Sequence, residues 1–555
     1  MTTIFLPMPD RLRPLLRIAF MCGVLATLPI LCDVYAADEP PAARDEARPE
    51  EAAEPAATSA PAPAEQPVTF AITTILVERN TLFASDRLQE VLAPFVGDGK
   101  TADDVEKARE ALEKFHHDQG YPTVIVNIPE QSVEEGIIRL QVVEQRINTV
   151  TITGNRYFSR EMILEKFPSL QPGGIPHVPT LQAEFAKAGR NPDLKITPAM
   201  APSKEVGYVD VELKIEEKLP LHGSLELNNR SSHDTSALRL NGAIRYDNLW
   251  QREHSVGLQY QTAPEKTREV QILSGSYVLP DPWHDDRRIV LYGVWSDTNT
   301  FASLGDMQVL GKGIIVGGRY LIPLTGKGLY NHSATLGIDY KRFDESAGFK
   351  TRVSYLPLST AYDASFQDST GYTLFNAGLN FAFRGAVTDQ SEMAVKRSEA
   401  KGNYLAAVLG LERQQKLPLG MGLRARIDGQ LSSEPLIPNE QFVAGGMDSV
   451  RGYKESEALG DNGFHGSVEL RAPDVTLGSV MSMTPYFFYD MAAVELKKPL
   501  PGENRSQTLQ GTGAGVRGML FKFIDYQVDF AVALSDSDRI KEGDRRVHFR
   551  VSCAF

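Results

Sequence analysis

From Leu219 onward the chain is written in segments of about ten residues in which polar and apolar side chains alternate, separated by turns. Val256, Leu258 and Tyr260 alternate with Ser255, Gly257, Gln259 and Gln261. Tyr526, Val528, Phe530, Val532 and Leu534 alternate with Asp525, Gln527, Asp529, Ala531 and Ala533. Successive side chains of a strand point to opposite faces, so each segment has one face suited to lipid and one suited to water. A soluble sandwich also alternates, and two further features separate the cases. The segments between Gly223 and Phe555 number about sixteen, an even count within the range of bacterial membrane barrels. The longest connections, 384–401, 431–462 and 495–509, all follow odd-numbered strands and so lie on one side, whereas the turn at Phe521-Lys522-Phe523 is very tight. Membrane barrels divide long loops and short turns in this way; a sandwich has no reason to. The expected fold is therefore an all-β transmembrane barrel of about sixteen antiparallel strands over residues 220–555.

At the other end, Arg11, Arg13 and Arg17 precede an apolar run from Ile18 to Leu31, followed by Val34-Tyr35-Ala36. The run is shorter than the ~20 residues a spanning helix needs, so residues 1–36 read as a signal peptide cut after Ala36. Cys22 and Cys32 leave with it. Cys553 then stands alone, no intrachain disulfide is possible, and its parity in the last strand makes it a lipid-facing apolar residue. Residues 37–67 are mostly Ala, Pro, Glu, Asp and Arg, which bury too little apolar surface to offset the entropy of ordering. They read as a tether, or as a short helix limited by Pro49 and Pro55.

Residues 68–219 have the texture of two small α+β domains in series, 68–145 and 146–219. In the first, a strand over 69–77 precedes a helix over 102–119, with Thr101 as N-cap and Val105, Ala108, Leu112 and Phe115 at helical spacing; strands over 123–128 and 136–143 follow. The second repeats the plan with a strand over 147–152, helices from Ser159 and over 179–188, and strands over 195–199 and 207–214.

A formal net charge of −13 argues against binding nucleic acid through phosphate contacts. There is no GxxxxGK, GxSxG or HExxH sequence, and the cysteines lack zinc spacing. His116 and His117 are adjacent on a helix, so their side chains diverge and they make a poor metal pair. No enzyme site, metal or cofactor is expected.

The longest connection contains Phe442-Val-Ala-Gly445-Gly446-Met-Asp-Ser449-Val450-Arg451-Gly452-Tyr453. This resembles the inward-folding sixth loop of the superfamily containing the two-partner secretion transporters, the TpsB or ShlB/FhaC/HecB-like family, and the barrel-assembly insertases. The resemblance implies that loop 432–462 turns into the barrel and that Arg451 meets an inner-wall aspartate. The matching position is Asp490, within Phe488-Tyr489-Asp490-Met491-Ala492, where the family more often has Gly at position 492. Parity agrees: Phe488 and Asp490 share one face, Phe487 and Tyr489 the other, and Glu469 and Arg471 also point inward. A guanidinium suits a bidentate contact with a carboxylate in a way that lysine does not.

Upstream, Gly120-Tyr121, Pro129-Glu130-Gln131, Gly136 and Leu140-Gln-Val-Val-Glu144 resemble the first polypeptide-transport-associated (POTRA) domain of TpsB proteins, with Gln145 departing from the usual Gly. Val150 to Asn155, Asn191-Pro192 and Gly207 to Val211 resemble the second, with Pro202-Ser203 in place of Pro-Gly. The similarity covers about 68–555. It implies an outer-membrane pore with periplasmic POTRA domains that binds an unfolded TpsA-type exoprotein by β-augmentation and moves it to the cell surface without ATP. It further implies contact with outer-membrane lipid, recognition of the strand ending in Phe555 by the barrel assembly machinery, a monomer, and residues 39–58 as the candidate for a pore-plugging helix. An assembly insertase is the alternative reading, but it typically carries more POTRA domains; a passive porin would leave the loop sequence unexplained.

Overall fold

The computed structural model describes residues 68–555 except 133–134, 285, 299–300, 305–306, 348 and 386. The expected signal peptide and tether lie outside the described residues. The described chain forms two compact units that divide at Pro220 and Leu221.

In the first α+β domain, strand Thr74–Glu78 runs parallel to Ile137–Glu144, which pairs antiparallel with Val124–Asn127. Helix Ala102–Asp118 starts where Thr101 and Asp104 exchange bonds in a capping box: Thr101 N donates to Asp104 Oδ2 (2.9 Å) and Asp104 N to Thr101 Oγ1 (3.4 Å). Its Val105, Ala108 and Leu112 join Ile75, Leu140 and Val142 in the core. The single strand expected over 69–77 is divided. Phe70–Ile72 pairs with Gly97–Lys100 in a ribbon of its own, and the chain bends at Thr73, whose N–H donates to Gly136 O (2.8 Å), before Thr74–Glu78 enters the main sheet. A helix over Ser85–Leu92, which the sequence reading lacked, buries Leu88 and Leu92.

The second α+β domain repeats the order. Strand Arg146–Thr153 lies parallel to Tyr208–Glu217, which pairs antiparallel with Leu194–Pro202. Helices Arg160–Glu165, capped by Ser159, and Val178–Ala188 cover a core including Ile147, Phe158, Ile163, Phe167, Leu181 and Leu213. One device recurs in both: a glutamate at the end of the last strand collects the backbone N–H groups of the turn after the first. Glu144 accepts from Thr81 (2.5 Å) and Leu82 (3.1 Å); Glu217 accepts from Arg156, Tyr157 and Phe158. The domains meet where Val178 N donates to Gly120 O (2.9 Å) and the rings of Tyr121 and His177 lie 4.8 Å apart. Gly120 has φ +93°, and a Cβ there would sit 2.6 Å from Pro179 Cδ, so only glycine fits.

The second unit is a closed barrel of sixteen antiparallel strands, from Leu221–Asn228 to Arg545–Ala554. Outward residues such as Leu258, Phe487 and Phe530 are exposed, whereas Asp490, Asp529 and Ala531 on the inner face are buried. The closing seam is short: Ser224–Asn228 pair with Arg550–Ala554, and the side chain of Asn229 extends the ladder to Val547 O (2.7 Å) and Phe549 N (2.9 Å). Phe555 continues it by exchanging backbone bonds with Gly223 (3.1 and 3.3 Å). The connection expected over 495–509 is shorter, because Glu495 still pairs with Ser506, and the one over 384–401 contains helix Gln390–Lys396. Phe521 and Lys522 make the tight turn with φ +54° and +65°.

Candidate functional site: an inward loop held on the barrel wall

The connection between strands Gly422–Ser432 and Asn462–Arg471 begins and ends as a small hairpin, Phe442–Ala444 against Ala458–Gly460. Gly445 and Gly446, with φ +101° and +106°, turn the chain at its tip, where a Cβ on Gly445 would sit 2.7 Å from Glu457 Cβ. Acidic side chains then tie the loop to its surroundings. Glu455 accepts from Met447 N (3.0 Å), Glu457 from Ser537 (2.5 Å) and pairs with His233 (2.5 Å), and Asp448 pairs with Arg230. Val450, buried completely, joins Ala444, Ala458, Ala492, Val494 and Leu509 in an apolar cluster against which Phe442 packs. Ala492, where the resembled family more often has Gly, spends its methyl group in that contact.

Arg451 is the hub. Its Nε donates to Asp490 Oδ2 (2.7 Å) and its Nη2 to Asp490 Oδ1 (2.8 Å), its backbone N–H reaches the same carboxylate (3.1 Å), and Nη1 donates to Glu469 (3.0 Å). The guanidinium lies 3.5 Å over the ring of Phe488, and Asp529 is 3.9 Å away. The side chain of Arg451 is 4% exposed and that of Asp490 0%. A planar, five-donor group stacked on one ring and forked onto one carboxylate is a geometry that lysine cannot reproduce. Gly452, with φ +106°, lets the backbone press against the wall, where a Cβ would sit 3.1 Å from Ala533 N. The Tyr453 hydroxyl reaches the carbonyls of Ser535 (2.6 Å) and Gln510 (3.0 Å).

The structure thus brings together Phe442, Val450, Arg451, Gly452, Tyr453, Glu469, Phe488 and Asp490, with Gly445 and Gly446 shaping the turn. Phe555 stands apart, at the seam. Several contributors were missed from sequence. Ser467 donates to Asp490 (2.7 Å), His548 accepts from Gly452 N (3.2 Å), and Arg517 and Arg424 join Arg471, already placed inward by parity, around Glu469 at 2.8, 3.9 and 3.3 Å. Gly511, Gly513 and Gly515 form a row on the inner face of strand Ser506–Leu520. A Cβ on Gly511 would collide with Arg451 O, and one on Gly513 would sit 2.7 Å from Phe488 Cζ. Their spacing of two, in Gly511-Thr-Gly-Ala-Gly515, is the one signal from which this groove was readable. Away from the barrel, His116 and His117 each place a ring nitrogen on a backbone carbonyl, of Leu112 (2.8 Å) and Val124 (2.9 Å).

Residues 70–145 match the ShlB-type POTRA domain, and residues 338–518 match the haemolysin secretion/activation protein family ShlB/FhaC/HecB. The outer membrane transporter CdiB of Dickeya dadantii (strain 3937) is 22% identical over 425 residues, 72% of each chain. The heme/hemopexin transporter protein HuxB of Haemophilus influenzae is 21% identical over 503 residues, 85% of this chain and 84% of HuxB. Among solved structures, CdiB from Escherichia coli superposes with a TM-score of 0.60 at 17% identity, covering 90% of this chain and 93% of that one. BamA from Haemophilus ducreyi lacking POTRA domains 1–3 gives 0.54 at 15% identity, over 88% and 100%. At these identities the superpositions speak to the fold.

Proposed function

We propose that the chain is an outer-membrane transporter of the ShlB/FhaC/HecB two-partner secretion family, whose model its residues 338–518 match, and that it exports one unfolded exoprotein through its barrel, with the Arg451 loop as the movable obstruction. The observation that carries this reading is the buried hub at Arg451. A loop held in a pore by one arginine and its acids is well fixed, yet the net stability of such a buried cluster is small, because desolvation offsets most of the attraction. A client that displaces the loop therefore meets a modest barrier, and no nucleotide is needed.

Client capture belongs to the α+β domains, which lie in the periplasm in this family. Strand Leu194–Pro202 bonds only to Tyr208–Glu217 among the described strands, and Met200 on it is exposed. Its outer edge offers main-chain donors and acceptors to an extended client regardless of side chains. Strand Val124–Asn127 is a similar edge in the first domain. In this reading the protein works as a monomer in outer-membrane lipid, its client is a TpsA-type exoprotein, and the strand ending in Phe555 is read by the barrel assembly machinery. The BamA-like fold supports a second reading, an assembly insertase. Deleting the transporter decides: loss of one exoprotein from the medium with other outer-membrane proteins at normal levels supports export, and the converse supports insertion. Arg451→Ala is expected to reduce export while the barrel still inserts; export at the normal level would end the loop proposal. Exchanging the charges of Arg451 and Asp490 together tests their pairing.

A further inference from the structure

The inner wall carries one arrangement twice. Tyr292, Gly317 and Asp339 are register partners on three successive strands, the fifth to seventh of the barrel; Tyr486, Gly515 and Asp529 are register partners on the thirteenth to fifteenth. In a ring of sixteen the two sets are eight strands apart. Both tyrosine hydroxyls donate to their aspartates across a glycine whose Cβ would strike both groups. Both glycines are followed two residues on by an arginine, Arg319 or Arg517, over the tyrosine ring at 5.2 and 4.1 Å.

The arginines then differ. Arg319 forks onto Asp339 at 2.6 and 2.9 Å. Arg517 leaves Asp529 and donates to Glu469 (2.8 Å). The residue opposite the arginine accounts for this. Arg319 faces Gly337, where a Cβ would sit 2.8 Å from Arg319 Cδ and 2.9 Å from its Nε, so the arginine crosses to Asp339 through space that only glycine leaves. Arg517 faces Gln527, whose side chain fills that space and whose Nε2 donates to Asp529 Oδ2 (2.8 Å).

We infer that Gln527 is a positioning residue for the loop: it turns Arg517 away from Asp529 and so keeps the charge of that carboxylate, 3.9 Å from the Arg451 guanidinium, unneutralised by the wall and acting on the loop arginine beside its bonded acids Asp490 and Glu469. The set at Tyr292 is the self-neutralised version of the same wall, in which an arginine of the wall itself occupies the acid. The inference rests on the loop reading for its effect on the pore, but the exchange of arginine partners stands on the wall alone.

Gln527→Gly is therefore expected to move Arg517 onto Asp529, visible in a structure of the variant barrel, and to raise the frequency of large conductance openings in planar bilayers several-fold. The double variant Gln527→Gly with Arg517→Gln removes the competing arginine and is expected to return openings toward the unaltered level. Gln527→Ala keeps a Cβ in the way and should behave like the parent. The reverse change, Gly337→Gln, should drive Arg319 off Asp339. Arg517 remaining on Glu469 in Gln527→Gly, or a double variant that opens as often as the single one, overturns the inference. If Arg451→Ala barrels open no more than the parent, the loop reading fails, while the structural arm still judges the role of Gln527.

Discussion

Arg451 uses all three guanidinium nitrogens and one ring face, which sets sharp expectations for substitutions. Arg451→Lys retains the charge but loses the fork and the stack, and should release the loop nearly as well as Arg451→Ala. Either change leaves buried carboxylates short of their partner, at a cost of about 3–5 kcal/mol to the docked loop. Faster hydrogen exchange at Val450 and Tyr453 would register it; parent-like exchange in the lysine variant would mean that charge alone suffices. A second expectation concerns His116, wholly buried between the rings of Phe83 and Phe115 with no partner for Nε2. Burial holds its pKa below the ordinary value of about 6.5. The unfolded chain thus takes up a proton that the folded domain refuses. Stability is full above about pH 6.5 and declines as pH falls below it, until the folded pKa is reached. Amide exchange in helix Ala102–Asp118 should accelerate over that window, and His116→Gln should remove this pH dependence. At this scale the sequence was legible in part. Arg451 stood in a long patterned run, and Asp490 came from the same family resemblance, with which its parity in the strand agreed. Ser467, Arg517 and Asp529 were as polar and as inward as many others, and which of them meet depends on strand stagger, which alternation does not encode.

Helices and strands were legible where local chemistry and tertiary need coincide. Thr101 announced a helix start, and the structure adds Asp104 to complete a capping box with it. Thr101→Ala should cost about 1 kcal/mol, seen as a lower unfolding midpoint of the first domain, with Ser at 101 restoring most of it. Helix Ser85–Leu92 escaped because its N-cap, Ala84, makes no side-chain bond and its buried face is two leucines. The break at Thr73 escaped for another reason. Phe70 to Val77 reads as one strand, and only the distant Gly136, which takes the Thr73 N–H, shows that the chain changes sheets there. Both α+β domains end a strand on a glutamate that gathers turn amides, Glu144 and Glu217, a repeat plain in coordinates but hidden among many glutamates in the sequence.

For the whole molecule, alternation and the distribution of loop lengths were sufficient to foresee a closed barrel, because closure and membrane thickness constrain every strand alike. The ring meets at its shortest ladder. Gly223 has no side chain where the ring of Phe555 lies, and a Cβ there would collide with it. Phe555→Ala, and equally Gly223→Val, should lower the fraction of heat-modifiable, folded barrel on gels, with the α+β domains unaffected; a full yield in both would remove the seam's importance. That seam also dictates a timetable. Residues 224–228 are made early and wait for 550–554, more than three hundred positions later. Each strand from the first onward can pair with the next, but the outer edge of the first strand has no partner until the last strand has been made. Until that last strand is in place the sheet stays open, with an unpaired edge on its first strand as well as on its growing end, and what must be shielded before closure follows from where the ring is joined.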